Sequence, residues 1–156
     1  MMERWLTATA VVGFMVLLAL GYWLGTGTGT KRGEAITPLT EMRVPSECSL
    51  VGAGCVATAE DATTLRFQLG PVIEPLKPFA VSLQTRAVVR AATVRFDMVG
   101  MDMGHNEFRL KPQADGAWGA TVLLPVCATG RRDWVATLRV ETNAATYSAV
   151  FPFETR

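Results

Sequence analysis

From residue 63 onward the chain alternates apolar and polar positions with a period of two, the spacing of a strand that turns one face toward a core. Leu65, Phe67 and Leu69 set the phase of the first such stretch. Residues 79–86 and 90–98 read as two more strands, and Phe108 with Leu110 marks a short one. Trp118, Ala120, Val122 and Leu124 alternate next, then Trp134, Ala136, Leu138 and Val140, then Tyr147, Ala149, Phe151 and Phe153. Turn signals such as Ala114-Asp-Gly116 and Thr142-Asn-Ala144 fall between them, and Pro75 and Pro78 lie between strands, where a missing N–H does least harm. About seven short strands in this rhythm predict an all-β fold, an immunoglobulin-like antiparallel β-sandwich, with a barrel as the alternative.

The pattern before residue 63 is different. Trp5 to Leu24 is apolar, carries no charge, and has about the length that spans ~30 Å of hydrocarbon as a helix. Trp5, Tyr22 and Trp23 sit at its ends, where interfacial aromatics belong. A cleaved signal peptide is the competing reading, but no clean small-x-small site follows the apolar run. Residues 1–25 are therefore expected to form an uncleaved membrane anchor. Residues 26–46, with their Gly-Thr repeats, Lys31-Arg-Gly-Glu34, Pro38 and Pro45, read as a flexible linker. Residues 47–156 then form the sandwich domain, leaving about 110 residues for a modest core.

Charge narrows the function classes. The 156 residues carry 15 Lys and Arg against 14 Asp and Glu, a net charge of +1 without long runs, so no footprint for nucleic acid is present. Arg4 on one side of the apolar segment and Lys31 and Arg32 on the other leave the positive-inside rule nearly silent about orientation. The cysteines speak to it instead. Cys48 and Cys55 frame Ser-Leu-Val-Gly-Ala-Gly, and Gly52 and Gly54 let that segment double back, so a local disulfide is geometrically easy. Such a staple suits an oxidising compartment and places the domain in the periplasm, on a single-pass inner-membrane protein. Cys127 is then the odd cysteine, at the end of an apolar stretch beside a turn, where a buried inert thiol is the plain reading.

The segment richest in chemistry is Phe96-Asp-Met-Val-Gly-Met-Asp-Met-Gly-His-Asn-Glu-Phe108, which holds three of the seven methionines and the single histidine. In an extended chain Met101, Met103 and His105 share a face, but i to i+2 spacing of about 6.6 to 6.8 Å is too wide for one ion without a bend. Gly100 and Gly104 can supply that bend. Thioether sulfur is soft and neutral, discriminates against magnesium and calcium, and prefers Cu(I), while imidazole also serves Cu(II). Cys127, approaching from a neighbouring strand, would complete a sulfur-rich set. Packing is the competing explanation: Met98 continues the phase of Val94 and Phe96 and belongs to the core, and methionine is a flexible gap filler.

Met101-Asp-Met-Gly-His-Asn106 with Arg109-Leu110, followed by Gly116-Ala-Trp-Gly119 and Trp134-Val-Ala-Thr-Leu138, resembles the small membrane-anchored proteins of the FixH-like and YtkA-like groups. The resemblance covers residues 60–154, and Leu124-Pro-Val-Cys127 is similar to a segment of some bacterial relatives. It implies a single-anchor, immunoglobulin-like domain linked to copper handling or to respiratory oxidase assembly, often beside a copper chaperone. It carries a ligand role to Met101 and Met103; the candidacy of His105 rests on its chemistry alone. The expectation is a membrane-anchored periplasmic copper-binding protein taking Cu(I) through Met101, Met103, His105 and Cys127, with a copper chaperone or a respiratory oxidase as partner. The alternative is a metal-free interaction module in assembly of a membrane complex. An enzyme is not expected, since Cys127 has no Cys-x-x-Cys partner and the histidine lacks a recognisable acid or nucleophile.

Overall fold

The computed structural model describes residues 38–101, 104–126 and 130–155. Ten strands occur there: β1 (Leu39–Glu41), β2 (Cys55–Thr58), β3 (Thr64–Leu69), β4 (Phe79–Thr85), β5 (Val89–Met98), β6 (Glu107–Arg109), β7 (Lys111–Pro112), β8 (Trp118–Val122), β9 (Asp133–Thr142) and β10 (Thr146–Glu154). They form two five-stranded sheets, ordered β1-β10-β9-β5-β6 and β2-β3-β4-β8-β7. Every pairing is antiparallel except that of β1 with β10. The described residues contain no helix, and the segment read as a membrane anchor lies outside them.

Period-two patterning is what drives the two sheets together. Each long strand buries alternate side chains: Leu65, Phe67 and Leu69 from β3, and Trp134, Ala136, Leu138 and Val140 from β9. Their partners are set by register, Phe67 opposite Leu83 and Leu138 opposite Val94. Phe67 meets Phe151 across the sandwich with ring centroids 5.3 Å apart. Phe96 sits among Phe79, Phe108 and Phe153 at 6.1, 6.1 and 6.0 Å, in edge-on contacts that favour the ring quadrupoles. The seven strands read from alternation correspond to β3, β4, β5, β6, β8, β9 and β10.

Three strands escaped that reading: β1 and β2 precede the alternation that begins at residue 63, and β7 has only two residues. β1 lies inside the stretch read as linker, yet it lines up along β10, with Leu39 opposite Thr146. Met42 just after it is buried and donates its N–H to the Ser148 carbonyl at 2.8 Å. The chain is thus part of the fold from residue 39, since backbone pairing to an existing edge needs no side-chain pattern.

Cys48 and Cys55 form the expected disulfide, with Cα atoms 5.4 Å apart. The Leu50 carbonyl accepts the Leu69 N–H at 2.8 Å, and Arg66 Nη1 donates to the Ala53 carbonyl at 2.9 Å, so the stapled loop lies along β3. Gly54 is held at φ +73°, and a Cβ there would stand 2.8 Å from the Phe67 carbonyl oxygen. Only glycine fits that close approach.

The sandwich has two unlike poles. At one lie the β2–β3, β4–β5 and β9–β10 turns and Pro38, whose carbonyl accepts the Thr146 N–H at 3.0 Å. We call this the hairpin pole. At the other, the loop pole, lie the β3–β4 connection, the β5–β6 connection and the β8–β9 connection. Nine residues of β10 separate them, about 27 Å at strand rise.

Candidate functional site

The loop pole receives the residues singled out for metal chemistry. β5 ends at Met98, which pairs across the sheet with Trp134 and is buried to 2% exposure in the inner layer, as its phase required. The chain then turns sharply: the Met101 N–H donates to the Met98 carbonyl at 3.1 Å, with Gly100 at φ +77°. A left-handed third residue is what a type II turn demands, and glycine adopts it without strain. The bend that a shared ligand site needs is therefore present after Met98, and Met101 comes back beside Met98 at 36% exposure.

The same connection closes on Asn106. Its side-chain amide donates to the Phe96 carbonyl at 3.0 Å, its own carbonyl accepts the Phe96 N–H at 2.9 Å, and its N–H donates to Gly104 at 3.0 Å. Gly104, at φ +66°, turns the chain just before it. Asn106 is buried while His105 beside it is exposed, so the asparagine clamps the loop base and leaves the imidazole outside. The sequence reading gave Asn106 no role; a polar residue immediately after Gly-His and ahead of an alternating strand was the available signal.

Of the four predicted ligands, the structure puts Met101 and His105 on one connection. Met103 and Cys127 lie outside the described residues. The strand that follows the Cys127 segment nevertheless starts beside the methionine turn, because the Val99 N–H points to the Asp133 carbonyl at 3.5 Å. The β3–β4 connection joins the same pole through the Leu76 N–H, which donates to the Leu124 carbonyl at 2.9 Å. No group of three or more His, Cys, Asp or Glu side chains able to hold a metal occurs among the described residues. A thioether and an imidazole are donors that suit a soft ion.

Two further features set this pole apart. Of the ten most exposed large apolar side chains among the described residues, six lie here: Val72, Leu76, Val99, Met101, Leu123 and Val126. Turn segments that close a sandwich are ordinarily polar, so six apolar tips are a departure from patterning. Beneath them the Trp134 indole N–H is buried and finds no acceptor among the described residues, an arrangement that costs about 1 to 3 kcal/mol.

Electrostatics at the pole are local. Arg131 hydrogen-bonds Asp133 and thereby holds its carboxyl below the usual carboxylate range. Glu74 pairs with Lys77 at 2.6 Å and Arg95 with Asp97 at 2.9 Å. A groove of about 620 Å³ on the flank of the sandwich is lined in part by Ser82, Phe108, Arg109 and Lys111, and neither Met101 nor His105 is among its described lining residues.

Compared with known protein families and with curated proteins, the chain matches no family model and no curated sequence.

Proposed function

We propose that this chain is a copper-binding protein, non-catalytic, that takes Cu(I) at the loop pole. The observation that carries the reading is the Gly100 turn, which brings Met101 back over Met98 and exposes it on the same connection as His105. Neutral sulfur and imidazole donors in that setting suit a soft monovalent ion and reject hard divalent ones. Met103 and Cys127 are the remaining donors of the set. Bound there, Cu(I) would be held by protein donors alone and offered to an acceptor at the surface. Asn106 would keep the loop base fixed while Met101 and His105 exchange.

The strand orders favour an immunoglobulin-like arrangement, since β3-β4-β8-β7 faces β10-β9-β5-β6, the distribution of two sheets joined by crossing connections. With residues 5–24 as a single inner-membrane anchor, the domain would stand in the periplasm, where the Cys48–Cys55 disulfide persists. The resemblance to the FixH-like and YtkA-like groups points to a copper chaperone or a respiratory oxidase as partner. The competing reading is the metal-free interaction module, which the exposed apolar tips also fit.

The test is titration of the full chain with Cu(I) against a chromogenic Cu(I) chelator under reducing, anaerobic conditions. Tight uptake is expected, lost in Met101→Ala with Met103→Ala, and weakened in His105→Ala. Uptake unchanged by the double substitution would overturn the site; no uptake at all would leave the interaction module as the reading.

A further inference from the structure

We infer that Met98 is itself a ligand for the soft ion, which is gripped between two facing thioethers, Met98 and Met101, on the connection that carries His105. The inference rests on the copper reading above and adds the donor that decides which ions the site takes: closed-shell, soft, monovalent cations, Cu(I) and Ag(I) alike. Met98 belongs to the inner layer by phase and by burial. Its position at the very end of that layer lets it pack and ligate at once.

Three observations support this. Met98 and Met101 oppose each other across the tight turn as an antiparallel pair, closed by the Met101 N–H donating to the Met98 carbonyl at 3.1 Å. Directly opposed residues of such a pair project to one face with Cβ atoms about 4.5 to 5.5 Å apart. Both thioethers therefore start from neighbouring points, and an unbranched methionine side chain has the torsional freedom to bring its sulfur to a shared ion. Next, Met98 is the last residue of β5 and is 2% exposed, whereas Met101 is 36% exposed. An ion between them is approached from solvent past Met101 and backed by the core at Met98. Finally, the backbone beneath the pair is fixed on both sides. Met98 is paired with Trp134 of β9, and Asn106 ties the end of the connection to Phe96, two residues before Met98. Donors set in place before the ion arrives cost less to order. Neutral sulfur at a buried position leaves the double charge of a divalent ion uncompensated, while a soft monovalent ion bonds to it.

The test uses the full chain in detergent, isotope-labelled at the methionine methyls and observed by NMR as Ag(I), a redox-inert analogue of Cu(I), is added. The Met98 methyl is recognised by its proximity to the ring of Trp134, its partner across the sheet. The Met98 and Met101 methyls are expected to shift together and to saturate at the same Ag(I) level, and Zn(II) to shift neither. In parallel, Cu(I) affinity is measured against a chromogenic chelator in Met98→Leu, a swap that conserves core volume. It should fall at least tenfold, with the urea midpoint and far-UV circular dichroism close to those of the unaltered chain. A Met101 methyl that shifts without that of Met98, or an unchanged affinity in Met98→Leu, would overturn the inference and leave the copper reading standing on Met101 and His105. A Met98 shift with Zn(II) would overturn the selectivity. No Ag(I) response together with no Cu(I) uptake would overturn both readings.

Discussion

The two poles of this sandwich are built from the same strands and end in opposite ways. At the hairpin pole the β2–β3 and β9–β10 turns are tied down by side-chain hydrogen bonds. Thr142 Oγ1 donates to the Ala145 carbonyl at 2.9 Å and accepts the Ala144 and Ala145 N–H groups at 3.2 and 3.1 Å. The Tyr147 hydroxyl donates to Asp61 at 2.6 Å and lies 3.2 Å from the Thr63 hydroxyl, pinning the β2–β3 turn to β10. At the loop pole the connections are apolar and exposed, and a buried indole N–H lies beneath them without an acceptor among the described residues. The difference shows where stability is held and where it is given up. Turns fixed by side-chain hydrogen bonds hold their conformation; a pole that exposes six large apolar side chains retains surface that a partner can bury.

The comparison is broken most severely in the layer under the loop pole. Trp134→Ala should cost about 3 to 5 kcal/mol by urea unfolding, because it empties a fully buried site. Trp134→Phe should cost no more than about 1.5 kcal/mol, since the indole has no hydrogen-bond partner among the described residues. A loss near the alanine value in the phenylalanine variant would show that the N–H has a partner. Reduction of the Cys48–Cys55 disulfide comes next, with an expected loss of about 2.5 kcal/mol for so short a loop, and with little effect on Cu(I) uptake at the loop pole.

A smaller effect belongs to the hairpin pole and is read through pH. The hydrogen bond from Tyr147, and then the one from the Thr63 N–H, hold Asp61 below its ordinary value, and the bond to Asp61 raises Tyr147. For the lowered carboxylate, stability is complete above the unfolded value of 3.8 and is lost as pH falls through the folded one. For the raised phenol, stability is complete below the unfolded value of 10.0 and is lost as pH climbs through the folded one. Tyr147→Phe should therefore lower the urea midpoint at neutral pH and flatten both limbs of the stability profile. The smallest effect is at the apolar tips, where Val99→Ser or Val126→Ser should change stability by no more than about 0.5 kcal/mol, since both side chains are half exposed or more. A large destabilisation there would mean the tips are packed rather than presented.

Sequence pattern by itself determined the strands from β3 onward, except the two-residue β7, because alternate residues there must be buried and period two marks them. It also determined the disulfide, since seven residues with two glycines confine Cys48 and Cys55 to each other's reach. The identity of the candidate donors was likewise legible, being a matter of residue type and spacing. Tertiary structure decided the rest. β1 and β7 exist because edges of existing sheets offer unpaired backbone, which leaves no trace in side-chain pattern, and β2 takes its place through pairing with β3. The placing of Val72, Leu76, Leu123 and Val126 at the same pole as the methionine turn depends on which sheet each strand joins, information spread over residues 72–126 and absent from any local window. Asn106 and Trp134 acquire their roles only once β5, β6 and β9 lie side by side, for burial and hydrogen-bond satisfaction are properties of neighbours, and neighbours are what folding supplies.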